Sequence, residues 1–263
     1  MTAARLRRPA ATLALLVLSA APAVSAYAAA PTSASAVRTA NQPSDPLVWG
    51  KMLYQEGCAS CHGLTGQGLN GVPSVVAKGA AGVDFEVSTG RMPLATITDQ
   101  ALRRPHSLYT EDQTAAMAAY VASLGQGSEP AIPTVAQVDW KRADLAMGGE
   151  LFRTNCAQCH SFAGQGGALT LGKQAPNLMQ ATPTQIYEAM LIGPNNMPQF
   201  SDATLPPAQK QAVIRYIEFL KQPDNPGGLN LGRLGPVSEG LFGWVAGFGL
   251  LVVIAVWIGV KAK

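Results

Sequence analysis

The sequence predicts an all-α protein with two small helical domains in tandem and one C-terminal transmembrane helix. Two stretches of the chain repeat the same motifs in the same order, and no β-strand pattern is strong in either repeat. Residues 240–260 carry no charged side chain. About 20 apolar residues are enough to cross a bilayer as one helix, so this segment is long enough to do so.

Residues 1–28 have the layout of a secretory signal peptide. Arg5, Arg7 and Arg8 precede an apolar run, and small residues spaced for cleavage follow it. Because alanines extend the apolar run, an uncleaved N-terminal anchor is the alternative. Both interpretations place the following chain outside the cytoplasm. Residues 29–44 are small and polar, which predicts a flexible lead-in.

The first predicted domain spans residues 45–125. Asp45 followed by Pro46 is typical of a helix start, so a helix is expected before residues 58–62, which are Cys-Ala-Ser-Cys-His. An apolar-periodic helix at residues 111–124 closes the domain. The markers between these helices are Pro73, Met92 and Pro93, and a capping box for the closing helix is predicted at Thr110 and Gln113.

The second predicted domain, residues 141–222, repeats this order after a Pro- and Gly-rich linker at residues 126–140. It contains residues 156–160, which are Cys-Ala-Gln-Cys-His, and a closing helix is expected near residues 208–220. Its remaining markers are Pro176, Met197 and Pro198.

A stalk at residues 223–239 is predicted to lead into the transmembrane helix at residues 240–260. Trp244 and Trp257 lie near the two ends of this helix, where indole rings favour the membrane interface. Lysines follow directly, so the positive-inside rule places the C-terminus in the cytoplasm and the two domains on the extracytoplasmic side of the cell membrane. A buried helix of a soluble domain would be shorter and would show a polar face.

Composition narrows the possible functions. A net charge of +3 over 263 residues is too small to indicate a nucleic-acid partner. All 4 cysteines and two of the 3 histidines lie in the two Cys-x-x-Cys-His motifs. If both motifs bind a cofactor, no cysteine remains for a disulfide.

The Cys-x-x-Cys-His motifs predict two covalently bound haems c. Two thiols at this spacing can each add to one vinyl group of a haem, and the adjacent histidine becomes the proximal ligand of the iron. A redox cysteine pair needs no adjacent histidine, and the two pairs lie too far apart in sequence for a four-cysteine zinc site. The predicted attachment residues are Cys58, Cys61, Cys156 and Cys159, and the predicted proximal ligands are His62 and His160.

The sixth iron ligand is predicted to be Met92 in the first domain and Met197 in the second. Each precedes a proline, which biases the methionine backbone towards an extended form and holds the sulfur on a loop. Packing in the core is the alternative role for a methionine. Histidine–methionine ligation gives six-coordinate iron with a raised potential, which suits electron transfer.

The backbone carbonyls of Pro73 and Pro176 are candidates to hold the second ring nitrogen of the proximal histidines, which would fix the tautomer. The alternative is that these prolines only shape the loop. The remaining histidine, His106, follows Arg103 and Arg104 and is expected to be a solvated loop residue. Two other roles are open for His106: an alternative iron ligand, or part of a docking patch for an acidic partner.

These units, each with Cys-x-x-Cys-His, a proline and Met-Pro, resemble tandem class I cytochrome c domains. The full order of signal, two such domains and one C-terminal span is similar to the cytochrome c subunit of the actinobacterial bcc-type quinol–cytochrome c reductase. Residues 85–93 and 193–198 support the resemblance. The loop at residues 96–109 departs from the family pattern in length.

The resemblance implies an electron relay in which this chain performs no bond chemistry. Electrons would pass from a Rieske iron–sulfur subunit through the two haems to a terminal cytochrome c oxidase. A cytochrome b subunit would belong to the same membrane translocase. A membrane-anchored dihaem subunit of a periplasmic dehydrogenase is an alternative. A dihaem peroxidase is a weaker alternative, because it needs an open iron position and both units offer a methionine.

Overall fold

A computed structural model describes residues 43–222 and 236–261. From Asp45 onward the chain belongs to one compact unit. The predicted signal peptide or anchor, nearly all of the lead-in and most of the stalk lie outside the described residues.

The described residues are predominantly helical, as the sequence predicts. Helices are numbered here in chain order over the described residues. The first repeat contains α1 (Pro46–Gly57), α2 (Ala59–His62), α3 (Gly79–Ser88) and α4 (Glu111–Leu124). The second repeat contains α6 (Leu145–Asn155), α7 (Ala157–His160), α8 (Pro183–Ile192) and α9 (Pro207–Lys221), with α5 (Val135–Val138) between the repeats and α10 (Pro236–Lys261) at the end.

Two features differ from the expected pattern. The segment predicted as a linker holds the short helix α5, which begins with a capping box between Thr134 and Gln137. The second repeat contains a two-residue antiparallel ladder of β1 (Gly167–Ala168) and β2 (Gln174–Ala175), although no strand was expected. The ladder closes the Gly-rich loop after the second motif, so local loop closure rather than strand propensity accounts for it.

The predicted helix starts of the first repeat are confirmed. The Asp45 side chain accepts a hydrogen bond from the backbone N–H of Leu47 at 2.8 Å. Thr110 and Gln113 form the capping box of α4, each side chain accepting from the other residue's backbone N–H. Such caps satisfy backbone donors that the first helical turn leaves unpaired.

In each repeat the first and last helices cross at a glycine. A Cβ on Gly148 would lie 1.9 Å from the carbonyl oxygen of Ala212, and a Cβ on Gly50 would lie 1.9 Å from that of Ala116. The absence of a side chain therefore lets the backbones of α6 and α9, and of α1 and α4, touch directly. Aromatic pairs pack beside both crossings, Tyr54 with Tyr120 and Phe152 with Tyr216.

The two repeats pack against each other through α3 and α8. Ala81, Phe85 and Ile192 form a buried cluster between these helices. The Nζ of Lys78 donates to the carbonyl oxygen of Ile192 at 2.7 Å and so covers the C-terminal end of α8. The sequence analysis set no bounds for either helix, yet together they join the two repeats into one structure.

A carboxylic acid is buried in this interface. Glu188 on α8 is 0 % exposed, and the side chain that it faces, Asp84 of α3, is also a carboxylate. Burial, and then the Asp84 carboxylate of α3, raise the pKa of Glu188 to about 10. The folded protein therefore holds Glu188 protonated at neutral pH.

Replacing Glu188 with glutamine should stabilise the protein increasingly as pH rises. The unfolded chain releases this proton near pH 4.5, whereas the folded protein keeps it until about pH 10. Between these values each pH unit costs the wild type up to about 1.4 kcal/mol, a cost that an uncharged amide avoids. The measurement is the free energy of urea unfolding at pH 5 and pH 8.

Glu150→Gln, which changes an exposed carboxylate on α6, is the control and should show no such trend. A Glu188→Gln effect of equal size at both pH values would contradict the assignment of a buried, protonated carboxyl.

Helix α10 is long and apolar enough to cross a membrane over Glu239–Lys261, and none of that window is buried by the described chain. It includes the predicted span of residues 240–260 and begins earlier, at Pro236. Its large apolar side chains are exposed, Leu241, Val253 and Val260 among them. A core helix of a soluble domain would bury its large apolar side chains instead.

Candidate cofactor site

In both repeats the two cysteines and the histidine lie along one helical turn. The backbone N–H groups of Cys61 and His62 donate to the carbonyl oxygen of Cys58 at 3.2 and 2.9 Å. The N–H groups of Cys159 and His160 make the same bonds to Cys156, at 3.1 and 2.9 Å. Positions three and four residues apart share one face of a helix, so each motif presents both thiols and the imidazole to the same side.

The histidines of the two motifs are held by the backbone carbonyls of the expected prolines, Pro73 and Pro176. His62 Nδ1 lies 2.9 Å from the Pro73 oxygen, and His160 Nδ1 lies 3.0 Å from the Pro176 oxygen. A carbonyl oxygen can only accept, so Nδ1 carries the proton in both rings. The lone pair of Nε2 is then free for a metal.

The loop between each motif and its proline, Pro73 or Pro176, contains a glycine that no other residue could replace without strain. Gly68 donates its N–H to the carbonyl oxygen of His62 at 2.8 Å with φ at +84°. A Cβ at this position would lie 2.3 Å from the Val72 oxygen. Gly166 occupies the same place in the second repeat, where its N–H donates to the His160 oxygen at 2.9 Å.

A cavity of about 660 Å³ lies beside the second motif and opens to the surface. Cys156, Cys159, His160 and Met197 all line it, so the structure brings together the four predicted attachment and ligand residues of this repeat. Its apolar walls include Phe152, Ile186, Val213 and Ile217.

Two methionines line this cavity. Met197 lies on the turn after α8, where its N–H donates to the Pro194 oxygen at 3.0 Å. Met190 also lines the cavity but belongs to the buried core of the repeat, at 3 % exposure. A loop sulfur can adjust towards an iron more readily than one packed in a helix, which favours Met197 as the ligand.

The corresponding residues of the first repeat are not part of this cavity. Met92 is half-buried on the turn after α3, and its N–H donates to the Glu86 oxygen at 2.9 Å. The peptide bond between Met92 and Pro93 is cis. His62 is held by Pro73 as described, and Cys61 is exposed.

Three polar residues of the first repeat line the second repeat's cavity and were not predicted to do so: Gln100, Arg91 and Arg103. The Gln100 side chain forms two hydrogen bonds with the backbone of Gln174 in β2, at 2.7 and 3.0 Å. In the sequence, Arg103 was considered only as part of a docking patch for an acidic partner, not as a residue of this cavity. His106 is exposed, as expected for a solvated loop residue.

Burial sets the protonation of the motif residues. It raises the pKa of the Cys58 and Cys156 thiols to about 11, with a smaller contribution from the second cysteine of each motif. Burial also lowers the pKa of His160, against an opposing effect of its hydrogen bond to Pro176. At neutral pH the imidazole is therefore neutral, the form that can coordinate a metal.

Family models match both repeats. The model described as "Cytochrome c" matches residues 48–125, and the model described as "Cytochrome C oxidase, cbb3-type, subunit III" matches residues 143–217. Two curated relatives carry the name "Cytochrome bc1 complex cytochrome c subunit". The Corynebacterium efficiens protein is 43% identical over 89% of this chain and 84% of its own length, and the Mycobacterium leprae protein is 40% identical over 94% and 87%.

This chain belongs to the cytochrome bc1 complex cytochrome c subunit family. Among solved structures, a chain of the Kuenenia stuttgartiensis reducing HAO-like protein complex is similar at a TM-score of 0.35 and 20% identity, covering 66% of this chain and 96% of that one. A likeness at that level has no bearing on fold or function.

The residues of this cytochrome c subunit fit a covalent haem. Both thiol pairs share a face with a histidine oriented by a backbone carbonyl, and the second repeat's cavity falls within the roughly 300–1,000 Å³ typical of cofactor sites. The Nη1 of Arg91 lines that cavity, is buried, and has no hydrogen-bond partner among the described residues. An anionic group at the edge of a bound cofactor would supply this missing hydrogen-bond partner.

Proposed function

We propose that this chain relays electrons within a quinol–cytochrome c reductase. It would accept them from a Rieske iron–sulfur subunit and pass them through two covalent haems c to a terminal cytochrome c oxidase. The observation that carries the proposal is the second repeat's cavity, where Cys156, Cys159, His160 and Met197 meet. Membership of a family of bc1 complex subunits supports the partners named.

The proposed haem ligands are His62 with Met92 and His160 with Met197, attached at Cys58/Cys61 and Cys156/Cys159. The haem supplies a reversible one-electron couple when bound. The protein contributes orientation, through the hydrogen bonds from Nδ1 of each histidine to Pro73 and Pro176. If Met92 and Met197 also bind the iron, no coordination position would remain open for a substrate, which favours electron transfer over peroxidase chemistry.

Helix α10 is proposed to anchor the chain in the cell membrane with both repeats on the extracytoplasmic side. The exposed apolar surface of α10 and the lysine at its end, Lys261, support this arrangement. Covalent attachment suits that location, since a cofactor held only by contacts could be lost to the surroundings. In this arrangement the chain is the non-catalytic carrier of a translocase that contains a cytochrome b subunit.

Purification of the membrane complex tests this function. A tag on this chain, used after mild detergent extraction, should bring down a cytochrome b subunit, a Rieske subunit and an oxidase, and quinol should reduce its haems. The mass of the mature chain should include two porphyrins. An untagged strain is the control.

A dehydrogenase recovered without any cytochrome b would replace the proposed partners. A mature chain carrying one porphyrin or none would contradict the dihaem assignment.

A further inference from the structure

The cavity of the second repeat has a wall built by the first repeat. This first-repeat wall consists of Phe85, Arg91, Gln100, Ala101, Leu102 and Arg103. Among the described residues that line the cavity, Arg91 and Arg103 are the arginines, and there is no aspartate, glutamate or lysine. The wall therefore presents positive charge to a space whose other lining residues carry no formal charge.

Arg91 is a buried cation with unused hydrogen-bonding capacity. It is 7 % exposed, its guanidinium lies 4.6 Å from the centre of the Phe85 ring, and its Nη1 has no partner among the described residues. The Glu86 carboxylate is near enough to interact electrostatically, but it forms no ion pair with Arg91 within 4 Å, and one of its own oxygens is also unpaired. A buried guanidinium without a bonded anion is costly.

Arg103 adds a second guanidinium beside the first. Its Nη1 makes a long 3.3 Å hydrogen bond to the Gln185 side chain, and its charge acts unfavourably on Arg91. Neither of these two neighbours of Arg103, Gln185 and Arg91, carries a carboxylate. Two like charges are thus held together at one edge of the cavity without an equal number of nearby anions.

We propose that Arg91 and Arg103 bind the propionate carboxylates of the haem attached at Cys156 and Cys159. This inference rests on the proposed function, which places a haem in that cavity. A haem carries two propionates, and planar guanidinium groups match carboxylates in paired, charge-assisted hydrogen bonds. The first repeat would therefore position the cofactor of the second.

Positive charge near a haem favours its reduced form, because reduction adds an electron. Bound to the propionates of the second haem, the two arginines would therefore raise its potential.

Glutamine substitutions at these two positions in the full-length, membrane-extracted holoprotein test the proposal. Arg103→Gln and Arg91→Gln should each lower the midpoint potential of the second haem, and the double variant should lower it further. Resonance Raman spectra should show a shift of the propionate-bending band. Arg142→Gln, which removes an exposed arginine of the second repeat outside the cavity, should change neither.

Two further variants separate the haems and guard against misfolding. In a Met92→Leu background, the methionine–iron absorption band is expected from the second haem alone, so a titration followed at that band measures its potential. Arg103→Lys keeps the charge but loses the planar fork, and should largely preserve the potential while shifting the Raman band.

Unchanged potential and Raman band in both glutamine variants, with two haems still attached, would overturn the assignment. A shift confined to the first haem would also do so. Haem content and co-purified partners are measured on the same samples, so a chain without haem at Cys156 and Cys159 would instead contradict the proposed function.

Discussion

Replacing Met197 with leucine should remove half of the methionine–iron absorption band of the oxidised protein and lower the potential of one haem. Each haem is expected to contribute one such band, and a thioether ligand raises the potential. Leucine nearly conserves the volume, so the cost in packing should stay below about 1.5 kcal/mol. Absorption spectra and a redox titration of the purified chain check the result.

Met190→Leu is the matched control, because Met190 lines the same cavity from the core of the repeat. It should keep the full band. Loss of the band in Met190→Leu with retention in Met197→Leu would show that the ligand is the helical sulfur. Met92→Leu should remove the other half of the signal.

Gly148→Ala should destabilise the second repeat by about 3 kcal/mol or more, a large value for a single methyl group. The new Cβ would overlap the Ala212 carbonyl, and backbone atoms cannot rotate away as a side chain can. Helices α6 and α9 would have to separate, which would open the cavity. Denaturant unfolding and the number of haems per chain measure the effect.

Gly50→Ala should produce the same loss in the first repeat, since its contact with Ala116 is equally close. Glu150→Ala, at an exposed position of α6, should change the stability by less than about 0.5 kcal/mol. If Gly148→Ala were as mild as Glu150→Ala, the direct backbone crossing would be wrong.

Local signals in the sequence predicted local structure well. Asp45, Thr110 and Gln113 act as the caps expected of them, and the closing helix of the first repeat has the predicted bounds of Glu111–Leu124. Caps and apolar periodicity depend on neighbours a few residues away, so they can be found without the fold.

Helix α3 has no capping motif that would reveal it in the sequence. It begins at Gly79 without a side-chain cap, and it packs against both α4 and α8. Helix α8 could have been predicted, because Thr182 and Gln185 form a capping box with Pro183 in the first turn.

The sequence predicted the cysteines and histidines of the candidate site, but it did not predict the residues that form the cavity walls. The spacing of cysteines and histidines follows from haem chemistry, so it is visible in a single sequence. Arg91 and Arg103 reach the second cavity because the two repeats pack together, through α3 and α8 and through the hydrogen bonds of Gln100 to Gln174. Contacts between segments so far apart in the chain leave no local pattern.

The shared cavity wall has a consequence for how the protein is made. Synthesis runs from the N-terminus, so the first repeat can fold before residues 141–222 are complete. The residues of the first-repeat wall are then synthesised before the cysteines of the second cavity. A gene encoding the second repeat alone would produce a pocket with an open side, because that wall belongs to the first repeat.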